Sequence, residues 1–242
     1  MIKFFRHIRF NLMSENKTGK YLKYAIGEIV LVVIGILIAL QINNWNQQRN
    51  INSEEQKILQ SLRSELEENV VKFDSIYTYH IVRDSILNRL IDLDPRLESF
   101  DSQDSLIKKV DWSWTFNPSR GIYNSIINSG KIELISNYDL KIRIAKLKDV
   151  IVDYIDDELY ALDYTTQNVE PYFVKTFSFY KRPRTKKERF KDSINYLKVI
   201  PSREFQNQMI YIGFALQGIF EEGPILRNEF VEIMDMIDKQ LE

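Results

Sequence analysis

Residues 24–42 read YAIGEIVLVVIGILIALQI, and the reading of the whole chain follows from them. Apart from Glu28 and Gln41 the stretch is apolar, and twelve of its residues are Leu, Ile or Val. A hydrocarbon core needs about 20 residues of helix, so the stretch is long enough to cross a bilayer. On an insertion scale those twelve side chains contribute about −4 to −7 kcal/mol, against about +3 kcal/mol for a carboxylate at mid-bilayer. Glu28 lies near the edge, so the apolar contribution wins and insertion is expected. An amphipathic helix of a soluble core would show a polar residue every third or fourth position, and residues 29–40 show none. Ala39-Leu40-Gln41 is not a small-x-small cleavage site, so an uncleaved signal anchor is expected rather than a removed signal peptide.

The flanks set the expected orientation. Residues 1–23 carry six bases against one acid, Glu15, a net +5, which leaves −6 for the remainder of a chain whose total is −1. Basic flanks stay in the cytoplasm, so the N-terminal arm is expected inside and residues 43–242 outside. Tyr21, Tyr24 and Trp45 bracket the span where interfacial aromatics belong. The arm itself, MIKFFRHIRFNLM at 1–13, alternates bases with apolar residues and reads either as a headgroup-plane helix or as a basic tail that only sets topology.

Composition excludes several chemistries. The chain has no cysteine, which removes disulfides and thiol catalysis, and only two histidines, His7 and His80. A zinc site or a histidine dyad in the outer part would rest on His80 alone, and His80 reads as a partly buried helix residue. There is no Gly-rich phosphate loop and no G-x-S-x-G elbow. No cofactor, metal or catalytic residue is expected, and the mildly acidic outer part argues against nucleic-acid binding.

After the span, apolar residues from Ile58 to Ile91 recur at helical spacing, with Ser53 and Gln56 as an expected capping box and Asp94-Pro95 as the stop. This helix either starts at that box or continues from the membrane helix, with residues 43–50 as the soft point between them. A short helix follows at 97–110, opened by Ser99 or Asp101. The acids Asp92, Asp94, Glu98, Asp101 and Asp104 lack the glycine and final glutamate of a calcium loop and read as a solvated surface. Trp112, Trp114 and Phe116 read as a core plug, with an exposed pair that grips sugars or a partner as the alternative. Ser119 is expected to cap a helix ending at Gly130, and Ser136 one running to about 168, with Asp153, Asp156, Asp157 and Glu158 on its outer face and Pro171 beyond its end. Residues 172–180 read as extended. Two C-terminal helices are expected, separated at Glu222-Gly223-Pro224.

These readings give a mainly α fold: one N-terminal transmembrane helix (24–42) after a basic arm (1–23), then a bundle of about five to seven helices. The long membrane-proximal helix (43–94) and the remainder (95–242) form one domain.

Two features are candidates for binding. At about 100° per residue Glu28, Val32, Gly35, Ala39 and Asn46 fall on one stripe, in which Gly35 and Ala39 form a small-xxx-small pair. The stripe is expected to pack on a second membrane helix, from another copy of the chain or from another protein. The second is a basic run, Lys181, Arg182, Arg184, Lys186, Lys187, Arg189 and Lys191, with one acid among them. It reads as a solvated loop, or as a site for anionic lipid, polysaccharide or an acidic partner.

The run SENKTGKYLKYAIGEIVLVVIGILIALQINNWN (14–46) resembles the opening of a family of uncharacterised single-span membrane proteins of flavobacteria and their relatives. SRGIYNSIINSGKIELISNYDLKIRI (119–144) is similar to that family's second recurring block. The resemblance implies a Gram-negative membrane protein of about this length, and it supplies no activity or site residues; joined to the orientation expected from the flanks, it gives an inner-membrane protein with its bulk in the periplasm. The expected function is therefore a membrane-anchored interaction or scaffold protein. An extracytoplasmic ligand sensor signalling through a partner is the alternative, followed by a carboxylate-dependent hydrolase.

Overall fold

A computed structural model describes residues 18–110, 113–180 and 182–242, and among them all regular structure is helical. The chain divides into two units, Met1–Gln56 and Lys57–Glu242. Six helices are present among the described residues. Helix α1 spans Thr18–Ile91, α2 Phe100–Val110 and α3 Gly121–Asn128. Helix α4 is built of Tyr138–Tyr164, a π turn at Thr165–Val169 and Glu170–Thr176, after which come α5, Lys186–Val199, and α6, Arg203–Leu241.

In the first unit the described residues belong to α1. It holds an 18-residue apolar window with a mean hydropathy of 2.6, no part of it buried, and is thus long and apolar enough to cross a membrane. Its large side chains, from Ile26 to Ile42, are about half exposed. The helix continues without a break through the expected soft point, and Ser53, read as a cap, lies within it. Asn and Gln there form side-chain bonds along the helix, as from Gln48 Nε2 to Asn52 Oδ1 at 2.8 Å, rather than ending it.

The second unit is held by three long helices. Leu59, Leu62, Leu66, Phe73, Leu87 and Leu90 of α1 are buried with Leu140, Ile144, Leu147 and Ile151 of α4. Phe205, Met209, Ile212, Leu216, Ile219, Leu226, Phe230, Ile233 and Ile237 of α6 complete the core. Cross-links give the directions. Arg63 bonds Asp238 and Arg227 bonds Asp74, so α6 runs antiparallel to α1. Phe73 packs on Tyr154 and His80 bonds Glu158, so α4 runs parallel to α1.

Helix α6 corrects an expectation. Glu222-Gly223-Pro224 does not end it, and one helix of 39 residues carries Pro224 inside. An interior proline costs about 3 kcal/mol. The apolar face keeps its period across that point, so burying residues on both sides, Ile219 and Leu226 among them, outweighs the cost. Gly223 lies close against α1: a methyl group built there would overlap the ring of Tyr77.

Helix α4 corrects two more. It does not stop near residue 168 but widens into the π turn, and Pro171 then falls in the first turn of Glu170–Thr176, where a missing N–H is tolerated. Residues 172–176 are accordingly helical rather than extended. The cap of α4 is Asn137, whose Oδ1 accepts from Leu140 N–H, while Ser136 accepts from Gln240 of α6. Gly130 has φ of 71° and closes α3 in the left-handed conformation that glycine adopts without cost.

Candidate functional site

Helix α1 repeats its inward face about every third or fourth residue, and within residues 57–91 four buried positions on that face are polar: Glu65, Asn69, His80 and Arg83. All are bonded. Glu65 reaches the start of α3, where its carboxylate accepts from the N–H groups of Ile122 at 2.7 Å and Tyr123 at 2.9 Å. A carboxylate at a helix N-terminus meets both free donors and the positive end of the dipole. Asn69 exchanges two bonds with the backbone of Ser119, giving from Nδ2 to its carbonyl and accepting its N–H. The cap of α3 thus comes from α1, and Ser119, expected to cap by its own side chain, is held in place by Asn69 instead.

About three turns beyond Asn69, α1 carries His80, which forms an enclosed polar pair with Glu158 of α4. His80 Nε2 and Glu158 Oε1 are hydrogen-bonded at 2.9 Å, and Phe116 N–H donates to Glu158 Oε2 at 2.5 Å. Glu158 was expected on the acidic outer face of α4. It is 1% exposed, because it follows Tyr154 by one turn on the inward stripe. The neighbouring Tyr154 hydroxyl is held well above the ordinary phenol range, by burial first and by the Glu158 charge second. Arg83, 2% exposed, gives Nε to the carbonyl of Val110 and Nη2 to the hydroxyl of Thr165, which itself donates to Ala161 O in the turn before the π segment.

A third node joins α2 to α5. Arg184 donates two bonds to Asp104 and one to Asp192, and Tyr196 Oη donates to Asp104 at 2.8 Å. Burial pushes the Asp104 carboxyl up, but bonds from Arg184, Lys108 and Tyr196 outweigh it and leave the group below the usual range. Each of these enclosed carboxylates, Glu65, Asp104, Glu158 and Asp192, is occupied in joining one element to another. Among the described residues no three His, Asp or Glu side chains gather where a metal ion could be held.

The basic run is divided by residue type. Its arginines close inward: Arg182 pairs with Glu188, Arg184 with Asp104 and Asp192, and Arg189 with Asp101. Arg182 and the Thr185 cap bring Glu188 down to about 2. Lys186, Lys187 and Lys191 are exposed on α5, and Lys181 lies outside the described residues. The segment is therefore ordered by the capping box of Thr185 and Glu188 and is not a loop from Lys186 onward. The acids once read as a solvated surface supply its partners, since Asp101 and Asp104 belong to α2. Trp114 is exposed, Phe116 is the buried plug, and Trp112 lies outside the described residues.

The stripe residues Glu28, Val32, Gly35, Ala39 and Asn46 all lie on α1. Val32 is exposed, and a methyl group built on Gly35 meets nothing within 4 Å. A feature the sequence reading missed is an aromatic face on α4 and α6. Tyr160, Tyr211 and Phe214 are exposed there, Tyr211 stacks on Tyr164 at 5.9 Å, and Phe214 meets its edge at 5.8 Å. Their signal was present in the sequence as aromatics placed off the inward stripe.

Fold and site together define a helical protein whose buried polar groups serve its architecture, with one helix among the described residues long and apolar enough to cross a membrane. The chain belongs to the family of unknown function DUF6090, whose sequence model matches residues 28–196. No curated protein matches the chain, and no solved structure does.

Proposed function

We propose that the protein is a single-span inner-membrane protein of a Gram-negative envelope whose helical domain, held on the periplasmic side, binds other envelope components. The observation that supports it is uncovered apolar surface on both units. The apolar window of α1 has no residue buried, and the second unit exposes Tyr160, Tyr211 and Phe214 together on α4 and α6. Contiguous exposed apolar surface on an otherwise well-packed domain marks a place where something docks. The +5 charge of residues 1–23 supports a cytoplasmic N-terminus.

Three measurements test this. The chain should stay with membranes through an alkaline carbonate wash, and a reporter active only in the cytoplasm, fused after Glu242, should be silent. Crosslinking in native membranes should trap a partner whose yield falls with Phe214→Glu. Release by the wash removes the anchor, and an unchanged crosslinking pattern in the variant removes the aromatic face from the reading.

A ligand sensor signalling through a partner is the second reading. The helix with the apolar window also supplies Glu65, Asn69, His80 and Arg83 to the domain interior. A small molecule that raises the domain's melting temperature by binding its native state would support this version.

A further inference from the structure

Helix α5 has two faces with different chemistry. Its inner face carries Asp192, Tyr196 and the pairs that tie it to α2. On the opposite side Phe190, Ile194 and Leu197 follow one another at helical spacing and are 69%, 39% and 43% exposed. Lys186, Lys187, Lys191 and Lys198 surround them, all exposed. The arginines of the same run are consumed by Glu188, Asp101, Asp104 and Asp192. No ion pair joins these four lysines to any described residue.

We propose that this outer face of α5 docks on the anionic phospholipid surface of a bilayer. An apolar stripe rimmed by lysines is the pattern of a helix lying in the headgroup plane, with the rings and branched chains inserted and the ammonium groups among phosphates. Lysine suits a fluid headgroup layer because its flexible stem lets the charge follow the lipids, whereas the planar arginine forks are used here for fixed carboxylates. The centre of the contact is Phe190, since Asp92, Asp94 and Arg96 border Leu197 at the far end of the helix. The inference rests on the membrane-anchored reading.

The chain contains no cysteine, so a single label can be placed on the full-length protein. Ile194→Cys, carrying an environment-sensitive fluorophore, is reconstituted in vesicles of phosphatidylcholine alone and of phosphatidylcholine mixed with phosphatidylglycerol. The label should shift to the blue and be protected from aqueous iodide in the mixed vesicles only, and raised salt should reverse both effects. Lys187→Gln with Lys191→Gln should weaken docking roughly fivefold per lysine. Equal iodide access in both vesicle types, in a protein that survives an alkaline wash, overturns the proposal and leaves the anchor standing. Loss of the protein in that wash overturns both. Protection that appears only when membrane proteins are added, and not with pure lipid, assigns the face to an acidic partner and also overturns it.

Discussion

His80 and Glu158 meet Nε2 to Oε1 at 2.9 Å between α1 and α4, with side chains 3% and 0% exposed. Glu158 also receives the Phe116 N–H, so one carboxylate fixes two helices and the segment between α2 and α3. Removing one member of a buried pair leaves the other without its partner, which costs about 3–5 kcal/mol. Glu158→Ala should lower unfolding stability by that order, measured by denaturant titration. His80→Leu should also destabilise, since it leaves Glu158 Oε1 buried without its partner, but by less than Glu158→Ala because Phe116 keeps its acceptor. A double-mutant cycle should return a coupling of about 1 kcal/mol or more, and a value near zero would mean the two residues act independently.

Two glycines of α6 should respond to the same substitution with opposite sign. Gly223→Ala drives a methyl group into the ring of Tyr77 and should destabilise by about 1–3 kcal/mol. Gly213 has nothing within 4 Å of such a methyl, so Gly213→Ala should stabilise by up to about 1 kcal/mol through helix propensity alone. Tyr77→Ala in the Gly223→Ala background should recover part of the loss. Thermal denaturation of the three variants decides the matter, and equal effects at the two glycines would contradict the close approach.

These elements also show what the sequence could and could not reveal. The helical class, the apolar span and most inward residues followed from periodicity, because burial on one side of a helix leaves a period of 3.6 whatever it packs against. Gly223-Pro224 misled because local propensity argues for a break, while the energy that keeps α6 continuous comes from residues distant in sequence. Glu158 was read with Asp153, Asp156 and Asp157 as one solvated charge cluster. Its register with Leu147, Ile151 and Tyr154 placed it on the inward stripe, and a polar residue on that stripe signals a buried partner. The partners themselves, His80 for Glu158 and Asp104 for Arg184, are separated by 78 and 80 residues, and no local pattern pairs them.

Acid should loosen α2 and α5 before it loosens α4 and α6. Asp94, Glu98, Asp101, Asp104 and Glu188 all titrate below the ordinary carboxylate range. Bonds from Arg96, Ser102 with Arg89, Arg189, and Arg182 dominate in the exposed four. In Asp104, burial is opposed and outweighed by Arg184, Lys108 and Tyr196. A depressed carboxyl stabilises the fold above its unfolded value, near 4, and that contribution is lost as pH falls through the folded value, which for Glu188 is about 2. The exposed pairs contribute little, so the enclosed Asp104 node carries most of the effect. Asp157 on α4 runs the other way. Burial, and then Asp153, Asp156 and Glu221, raise its carboxyl, so protonation relieves α4. Hydrogen exchange followed from neutral pH down to about pH 3 should show protection falling first in α2 and α5. Simultaneous loss across all helices would contradict this order.

The stripe of Glu28, Val32, Gly35 and Ala39 makes a separate claim about the span. Association between membrane helices depends on close backbone approach, since lipid chains are as apolar as leucine and provide no drive of their own. Gly35 offers that approach because the space beside it is open, and Ala39 extends it by one turn. Gly35→Leu fills the space while leaving the helix as apolar as before, so insertion should be unaffected and only association should fall. Single-cysteine variants at Val32 and Ala39, tested in native membranes, should form crosslinks in the parent sequence and lose them on Gly35→Leu. Crosslinks of equal yield with and without the leucine would make the stripe a surface that faces lipid. Glu28→Leu separates the two parts of the claim: loss of crosslinks there would show that the carboxylate contributes to pairing, and retention would show that the small residues suffice.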